Sequence, residues 1–281
     1  MVELSIVVPL YNERGNVGEL VTRCCAAARA ASDGFELLLV DDGSLDGTAD
    51  EAERCGDPGV RVIRMPRNVG QFSALKAGLA LAQGTHVVVL DGDLQDPPEL
   101  IGELVSHARQ TRARAVYAIK TSRREGLLFR AAQAVFHGIQ GSLSRAPIPS
   151  GASSYCLLDR ELAARVAAVP LGSGNVAAVV AALGVRGATL PYAKGARRDG
   201  PSRLGLAGHV REAVAALALT GAMARLGWFA GVLFAAGAIA VSTLGGQGAV
   251  IVALAAMAVV AAAGAIAADR VVDRALAPRL R

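Results

Sequence analysis

The sequence predicts an α/β fold built on a mostly parallel sheet, followed by a C-terminal pair of membrane-spanning helices. Three observations predict it. Short apolar runs alternate with helical patterns through the N-terminal part of the chain, as they do where crossover helices connect parallel strands. Two of those runs end in clustered carboxylates, Asp41-Asp42 and Asp91-Gly92-Asp93. The stretch from Leu226 to Ala268 contains no Asp, Glu, Lys or Arg.

The first strand is predicted at Leu4 to Pro9, with a loop and then a helical pattern from about Val17 to Ala31. Phe35 to Val40 reads as the second strand, and a helix follows from about Thr48. Val60 to Met65 is a third strand, Gln71 to Leu81 a helix, and Thr85 to Leu90 a buried strand leading into Asp91. Asp96-Pro97-Pro98-Glu99 is expected to open a helix, because Asp can cap it and Pro suits its first turn.

A strand ending in two carboxylates one residue apart makes an acidic cup at the sheet's C-terminal edge, where parallel α/β sheets bind their ligands. Hard oxygen donors at Asp91 and Asp93 suit a divalent cation such as Mg or Mn, which would hold the diphosphate of an activated substrate. The alternative is an Asp-rich turn with no ligand. Carboxylates delivered to the same edge by the Phe35 strand weigh against that alternative.

Composition narrows the setting. The formal net charge is +5, and Lys and Arg gather from Lys120 onward, a bias that suits phosphate ligands or an anionic membrane face rather than nucleic acid. The four cysteines, Cys24, Cys25, Cys55 and Cys156, show neither metal-ligand spacing nor a disulfide framework, and fit a reducing compartment. The four histidines are scattered without a paired spacing.

Gly245-Gly246-Gln247-Gly248 splits the uncharged stretch into Leu226 to Leu244 and Ala249 to Ala268, each close to the roughly 20 residues that cross a bilayer. Arg211 and Arg225 precede the pair, and Arg270, Arg274, Arg279 and Arg281 follow it, which places both chain ends in the cytoplasm by the positive-inside rule. The chain therefore divides into a cytoplasmic domain (1–203), a membrane-proximal helix (204–225), a two-helix transmembrane hairpin (226–268) and a basic cytoplasmic tail (269–281). The expected location is the cytoplasmic membrane, multi-pass. No cleavable secretory signal is visible at the N-terminus. Small residues at Gly231, Ala235, Gly237 and Ala238 would permit close helix packing and a homo-oligomer.

Four motifs in order, Val7-Val8-Pro9-Leu10-Tyr11-Asn12-Glu13, Val40 to Thr48, Arg67-Asn68-Val69-Gly70-Gln71 and Asp91 to Pro98, resemble the signatures of family 2 glycosyltransferases. They are most similar to the branch that includes dolichol-phosphate mannose synthases and bacterial polyprenyl-phosphate glycosyltransferases. The resemblance implies a GT-A, Rossmann-like nucleotide-sugar-binding domain, inversion at the anomeric carbon and a polyprenyl phosphate acceptor. It implies that Pro9, Tyr11, Asn12, Glu13 and Asp41 contact the nucleoside and that Asp42 supports that pocket. It also implies that Asp91 and Gly92 border the nucleotide-sugar, while Asp93 and Gln95 reach the metal directly or through water. For Gln95 a solvated turn residue is the alternative, and for Arg67-Asn68 a surface cation.

On the acceptor side, Gly126 to Leu143 carries a broad apolar helical face that includes Phe129, Val135, Phe136 and Ile139. It could pack on the domain's own core or lie in the membrane interface and guide a lipid tail. Lys120, Arg123, Arg124 and Arg130 could hold the acceptor phosphate or simply face lipid headgroups, and Arg130 is the expected acceptor-phosphate contact among them. Arg197-Arg198-Asp199-Gly200-Pro201-Ser202-Arg203 resembles the family's basic loop, which implies that Arg197, Ser202 and Arg203 meet phosphate and that Arg203 assists catalysis alongside Asp91 and Asp93. A solvated basic linker is the alternative.

The chain departs from the family's pattern at Ser153-Ser154-Tyr155-Cys156-Leu157-Leu158-Asp159-Arg160, where Ser154 stands in place of an acidic residue. For a sugar hydroxyl acceptor the loss of a general base would cost about 10²- to 10⁴-fold. A phosphate monoester, with a second pKa of about 6, is already largely ionised at neutral pH and needs no base. Gly172 to Val176 also lacks the Arg- or Phe-containing motif usual there. The expected activity is transfer of a sugar from a nucleotide-sugar to a polyprenyl monophosphate. The alternatives are a catalytically altered, nucleotide-sugar-binding membrane scaffold and, lacking its Q-x-x-R-W segment, a polysaccharide synthase.

Overall fold

The structure, a computed structural model, describes residues 2–120, 146–170 and 174–192. Seven strands form one sheet in the order β3-β2-β1-β4-β6-β5-β7. They are β1 (Leu4–Leu10), β2 (Phe35–Asp41), β3 (Val60–Arg64), β4 (His86–Val89), β5 (Ala115–Lys120), β6 (Cys156–Asp159) and β7 (Ala188–Tyr192). The first four strands pair in parallel. β6 runs antiparallel to both β4 and β5, and β7 is parallel to β5. The expectation of a mostly parallel sheet therefore holds, with β6 as the reversed member.

Helices α1 (Arg14–Ala31), α2 (Thr48–Arg54), α3 (Gln71–Leu81), α4 (Ile101–Thr111), α5 (Arg160–Ala168) and α6 (Val176–Ala182) complete the described domain. Strand β1 is buried along its whole length because both faces of the sheet are covered, which is why its sequence, Ser5 apart, is an apolar run rather than an alternation. Ile6, Val8 and Leu10 join a cluster with Leu20 and Cys24 of α1 and Leu104 of α4. Val7, Leu38 and Val89 pack on the other side with Leu75 of α3, Leu162 of α5 and Val179 of α6.

Most boundaries lie within a residue or two of those expected. The first helix begins at Arg14 rather than Val17, because Thr48 Oγ1 and Asp46 Oδ2 accept from the backbone N–H groups of Glu13 and Arg14 and so extend it backward. The expectation that Asp96 caps a helix is corrected. Pro97 stands at the cap of a 3-10 turn, Pro98–Leu100, with no side-chain cap, and α4 follows from Ile101. Asp96 is instead buried, and its carboxylate accepts from the Tyr192 hydroxyl. Pro98 does occupy the first turn, as expected.

The apolar segment 126–143, the basic loop 197–203, the membrane-proximal helix 204–225 and the hairpin 226–268 lie outside the described residues. Among the described residues no helix is long and apolar enough to cross a membrane.

Candidate active site at the C-terminal edge of the sheet

The ends of β1, β2 and β4 build the site. Register brings Leu10 beside Asp41, Asp42 N–H donates to the Leu10 carbonyl at 2.8 Å, and Leu90 N–H donates to Val7 at 3.2 Å. Three loops, 11–13, 42–47 and 91–97, thus leave the sheet at one rim.

The first two loops lock together. Asn12 takes a left-handed backbone (φ 56°); its N–H donates to Ser44 Oγ at 2.9 Å, and its side-chain oxygen accepts from Leu45 N–H at 3.1 Å. Asp46 Oδ1 accepts from the Thr48 N–H and hydroxyl, which aims Thr48 Oγ1 at Glu13 N–H, 2.8 Å away. Tyr11 is left half-exposed above this lock, at 38%.

The neighbouring carboxylates Asp41 and Asp42 have different surroundings. Asp42 is buried, and its two oxygens accept from Val69 N–H at 2.7 Å and Gly70 N–H at 2.9 Å. It fixes the 67–70 loop against Gly43, where a Cβ would meet the Arg67 backbone carbon at 2.6 Å and where φ is +70°, so only glycine fits. Asp41 is 4% exposed. Its Oδ2 accepts from Ser44 N–H at 3.2 Å, while Oδ1 is buried with no hydrogen-bond partner. A buried acceptor left unmade costs roughly 1–3 kcal/mol, so this oxygen is poised for a donor.

The 91–95 turn lies against the end of β1. A Cβ on Gly92 would stand 2.5 Å from Leu10 Cδ2 and 3.3 Å from the Pro9 carbonyl oxygen, so a glycine between the two carboxylates is a packing requirement. Gln71, the first residue of α3, donates from Nε2 to Asp91 Oδ1 at 2.8 Å. Asp93 Oδ1 accepts from Gln95 N–H at 3.1 Å, and Oδ2 accepts from Gln95 Nε2 at 2.7 Å. Gln95 is therefore a direct neighbour of the Asp93 carboxylate within the turn. Below the turn, burial and then the Asp96 carboxylate push the Tyr192 hydroxyl above its ordinary range, so it remains a proton donor.

The structure thus gathers Pro9 and Asp41, at the ends of β1 and β2, with Tyr11, Asn12, Glu13, Asp42, Asp91, Gly92, Asp93 and Gln95 on the loops that follow at one edge. Arg130, Arg197, Ser202 and Arg203 lie outside the described residues. β5 and β7, which run parallel to β4, end at this same edge, at Lys120 and Tyr192. Ser44, Asp46, Thr48, Gln71 and Tyr155 lie inside the sequence motifs without a role of their own there, and Tyr192 lies in none. For the first three the signal was the S-x-D-x-T alternation inside the second motif. A shallow cleft of about 490 Å³ lined by Val2, Gly34, Phe35, Gln83 and Arg160 sits at the opposite rim, away from these carboxylates.

Residues 5–166 match Glycosyl transferase family 2. The chain is 39% identical over 131 residues to dodecaprenyl-phosphate galacturonate synthase of Rhizobium johnstonii, covering 46% of this chain and 39% of that protein. It is 48% identical over 111 residues to undecaprenyl-phosphate 4-deoxy-4-formamido-L-arabinose transferase of Pseudomonas syringae pv. syringae, covering 38% of this chain and 33% of that one. The chain thus spans well under half the length of either relative. Among solved structures, glucosyl-3-phosphoglycerate synthase from Mycobacterium tuberculosis in complex with Mn2+ and UDP-glucose superposes with a TM-score of 0.52 at 21% identity, covering 77% of each chain. That likeness shows a shared GT-A fold.

Proposed function

Because this chain belongs to glycosyl transferase family 2 and is a glycosyltransferase, we propose that it moves a sugar from a nucleoside diphosphate to the phosphate of a polyprenyl monophosphate, with inversion at the anomeric carbon. The observation that carries this reading is the buried, unpartnered Oδ1 of Asp41, at the same rim as Asp91 and Asp93. A carboxylate oxygen so placed asks for an N–H donor, which a nucleobase supplies. The Asp91 and Asp93 pair lies at the edge where the diphosphate would follow.

The donor set fits a divalent cation. Among the described residues no group of three or more His, Cys, Asp and Glu side chains gathers to hold a metal, so those residues by themselves build no cage. Mg2+, and by the same oxygen chemistry Mn2+, binds through one or two carboxylates completed by substrate phosphates and water, and Asp91 and Asp93 are such a pair. When bound, the cation would neutralise charge on the departing diphosphate.

The chain's own residues do the remainder. Asp41 accepts from the base, and the interlocked 11–13 and 44–48 loops hold the nucleoside side of the donor in place. Gln71 and Gln95 fix the directions of Asp91 and Asp93, which is the preorganisation that electrostatic stabilisation of a leaving group needs. No acidic side chain stands at Ser154 to take a proton, and a phosphate monoester acceptor requires none. Its oxygen attacks the anomeric carbon in line, the bond to the diphosphate breaks, and the product is a lipid-phosphate-linked sugar. The two relatives carry different sugars in their names and share a polyprenyl-phosphate acceptor, which supports the acceptor more than any one sugar.

The uncharged 226–268 stretch and its basic flanks support a multi-pass enzyme of the cytoplasmic membrane, with Arg130, Arg197, Ser202 and Arg203 meeting the acceptor phosphate. The test is to incubate membranes containing the chain with a panel of labelled nucleotide-sugars and measure label extracted into organic solvent. Label should enter the lipid fraction with the wild-type chain and not with Asp91→Ala or Asp93→Ala. Equal labelling by either variant removes that residue from the mechanism, and no lipid label from any donor overturns the acceptor.

A further inference from the structure

Asp93 sits in a turn that its own sequence does not favour. Leu94, the next residue, has φ +58°, a left-handed conformation that L side chains avoid and that persists only where surrounding contacts enforce it. On the N-terminal side the enforcing contact is Gly92 pressed on Leu10 and Pro9. On the C-terminal side it is a pair of buried tyrosines distant in sequence. Tyr192, the last residue of β7, donates its hydroxyl to Asp96 Oδ1 at 2.5 Å. Tyr155, immediately before β6, donates to the Pro97 carbonyl at 2.8 Å. Their rings meet edge to face, with centroids 5.9 Å apart at 81°, and Asp96 is 2% exposed, Tyr155 0% and Tyr192 6%.

Resting on the divalent-cation reading of Asp93, we propose that Tyr192 and Asp96, backed by Tyr155, are positioning residues that hold the 93–95 turn in its cation-accepting shape. Neither tyrosine bonds to Asp93 itself. They pin residues 96 and 97, and the strained Leu94 and the Asp93–Gln95 hydrogen bonds follow from where that pin is placed. Tyr192→Phe keeps the ring and its packing and removes one hydrogen bond to a charged group, a loss of about tenfold if it is realised in cation binding.

The experiment uses the full-length purified chain in detergent. Free Mn2+ is followed by electron paramagnetic resonance during titration with UDP, GDP or CDP, whichever the wild-type chain binds, and thermal unfolding is measured alongside. Tyr192→Phe should weaken Mn2+ binding about tenfold. Tyr155→Phe should weaken it in the same direction, and the Tyr192→Phe, Asp96→Ala pair should be no worse than Asp96→Ala alone, as expected for partners in one contact. Unchanged Mn2+ affinity in Tyr192→Phe, with wild-type binding intact, overturns the proposal and leaves the pair a stabilising contact only. Absence of Mn2+ binding by the wild-type chain overturns the cation reading itself.

Discussion

Replacing Asp42 by Ala removes the acceptors for two backbone N–H groups, Val69 at 2.7 Å and Gly70 at 2.9 Å, and the loop they hold is the one packed on Gly43. Hydrogen bonds to a charged partner contribute about 1.5–3 kcal/mol each. Val69 and Gly70 are partly accessible, so water recovers some of that, leaving roughly 3–4 kcal/mol for the pair. A domain of this size loses about 2–4 °C of midpoint per kcal/mol, which predicts a fall of about 10 °C in thermal unfolding followed by circular dichroism of the full chain. Asp42→Asn keeps one acceptor and turns an NH2 toward the other N–H, so it should be destabilising by a similar or slightly smaller amount. An Asp42→Ala midpoint within about 2 °C of wild type, less than 1 kcal/mol on that scale, would refute the view that Asp42 builds the 67–70 loop.

Asp41→Ala should weaken nucleoside diphosphate binding by calorimetry about tenfold or more, the worth of one charge-assisted contact, and an unchanged Kd would show that its buried oxygen meets no ligand. Gln71→Leu removes the 2.8 Å hydrogen bond to Asp91 Oδ1 and should lower kcat several-fold, with little change in the unfolding midpoint; an unaltered kcat would make that contact incidental. Acid should destabilise the domain. The Arg29 guanidinium holds Asp57 below its ordinary 3.8, and Arg23 holds Glu99 below its ordinary 4.5. Their contribution is therefore full above those ordinary values and is lost as pH falls through the lower folded ones. The midpoint should stay level near neutrality and drop below about pH 5, and Arg23→Ala should make that drop smaller; a midpoint that rises with acid would contradict the assignment.

What the sequence made legible was whatever local pattern determines. Phe35 to Val40 and Thr85 to Leu90 are apolar enough to be interior strands, and Asp41-Asp42 and Asp91-Gly92-Asp93 stop them at a common rim. Gln71 to Leu81 was bounded correctly because Gly70 precedes it and its apolar spacing is helical. What was not legible depends on partners far along the chain. Nothing in Cys156–Asp159 announces that it inserts antiparallel between β4 and β5, since its four residues would fit either direction. Asp96 looks like a helix cap until Tyr192, 96 residues away, is brought over it. The sequence pairs Asp41 with Asp42 but does not say which of them Val69 and Gly70 will occupy, 27 and 28 residues later. Leu94 gives no warning of a left-handed backbone, because its conformation is imposed by the contacts on either side.

The most direct test is whether Mn2+ and nucleoside diphosphate bind as partners through Asp91 and Asp93. Calorimetric titration of the diphosphate with and without Mn2+ measures their coupling, which linkage makes reciprocal. The wild-type chain should bind the diphosphate more tightly with the cation present, and Asp91→Ala, Asp93→Ala together should erase that gain while leaving cation-free binding through Asp41 in place. A gain of the same size in the double variant would contradict the placement of the diphosphate at these two carboxylates.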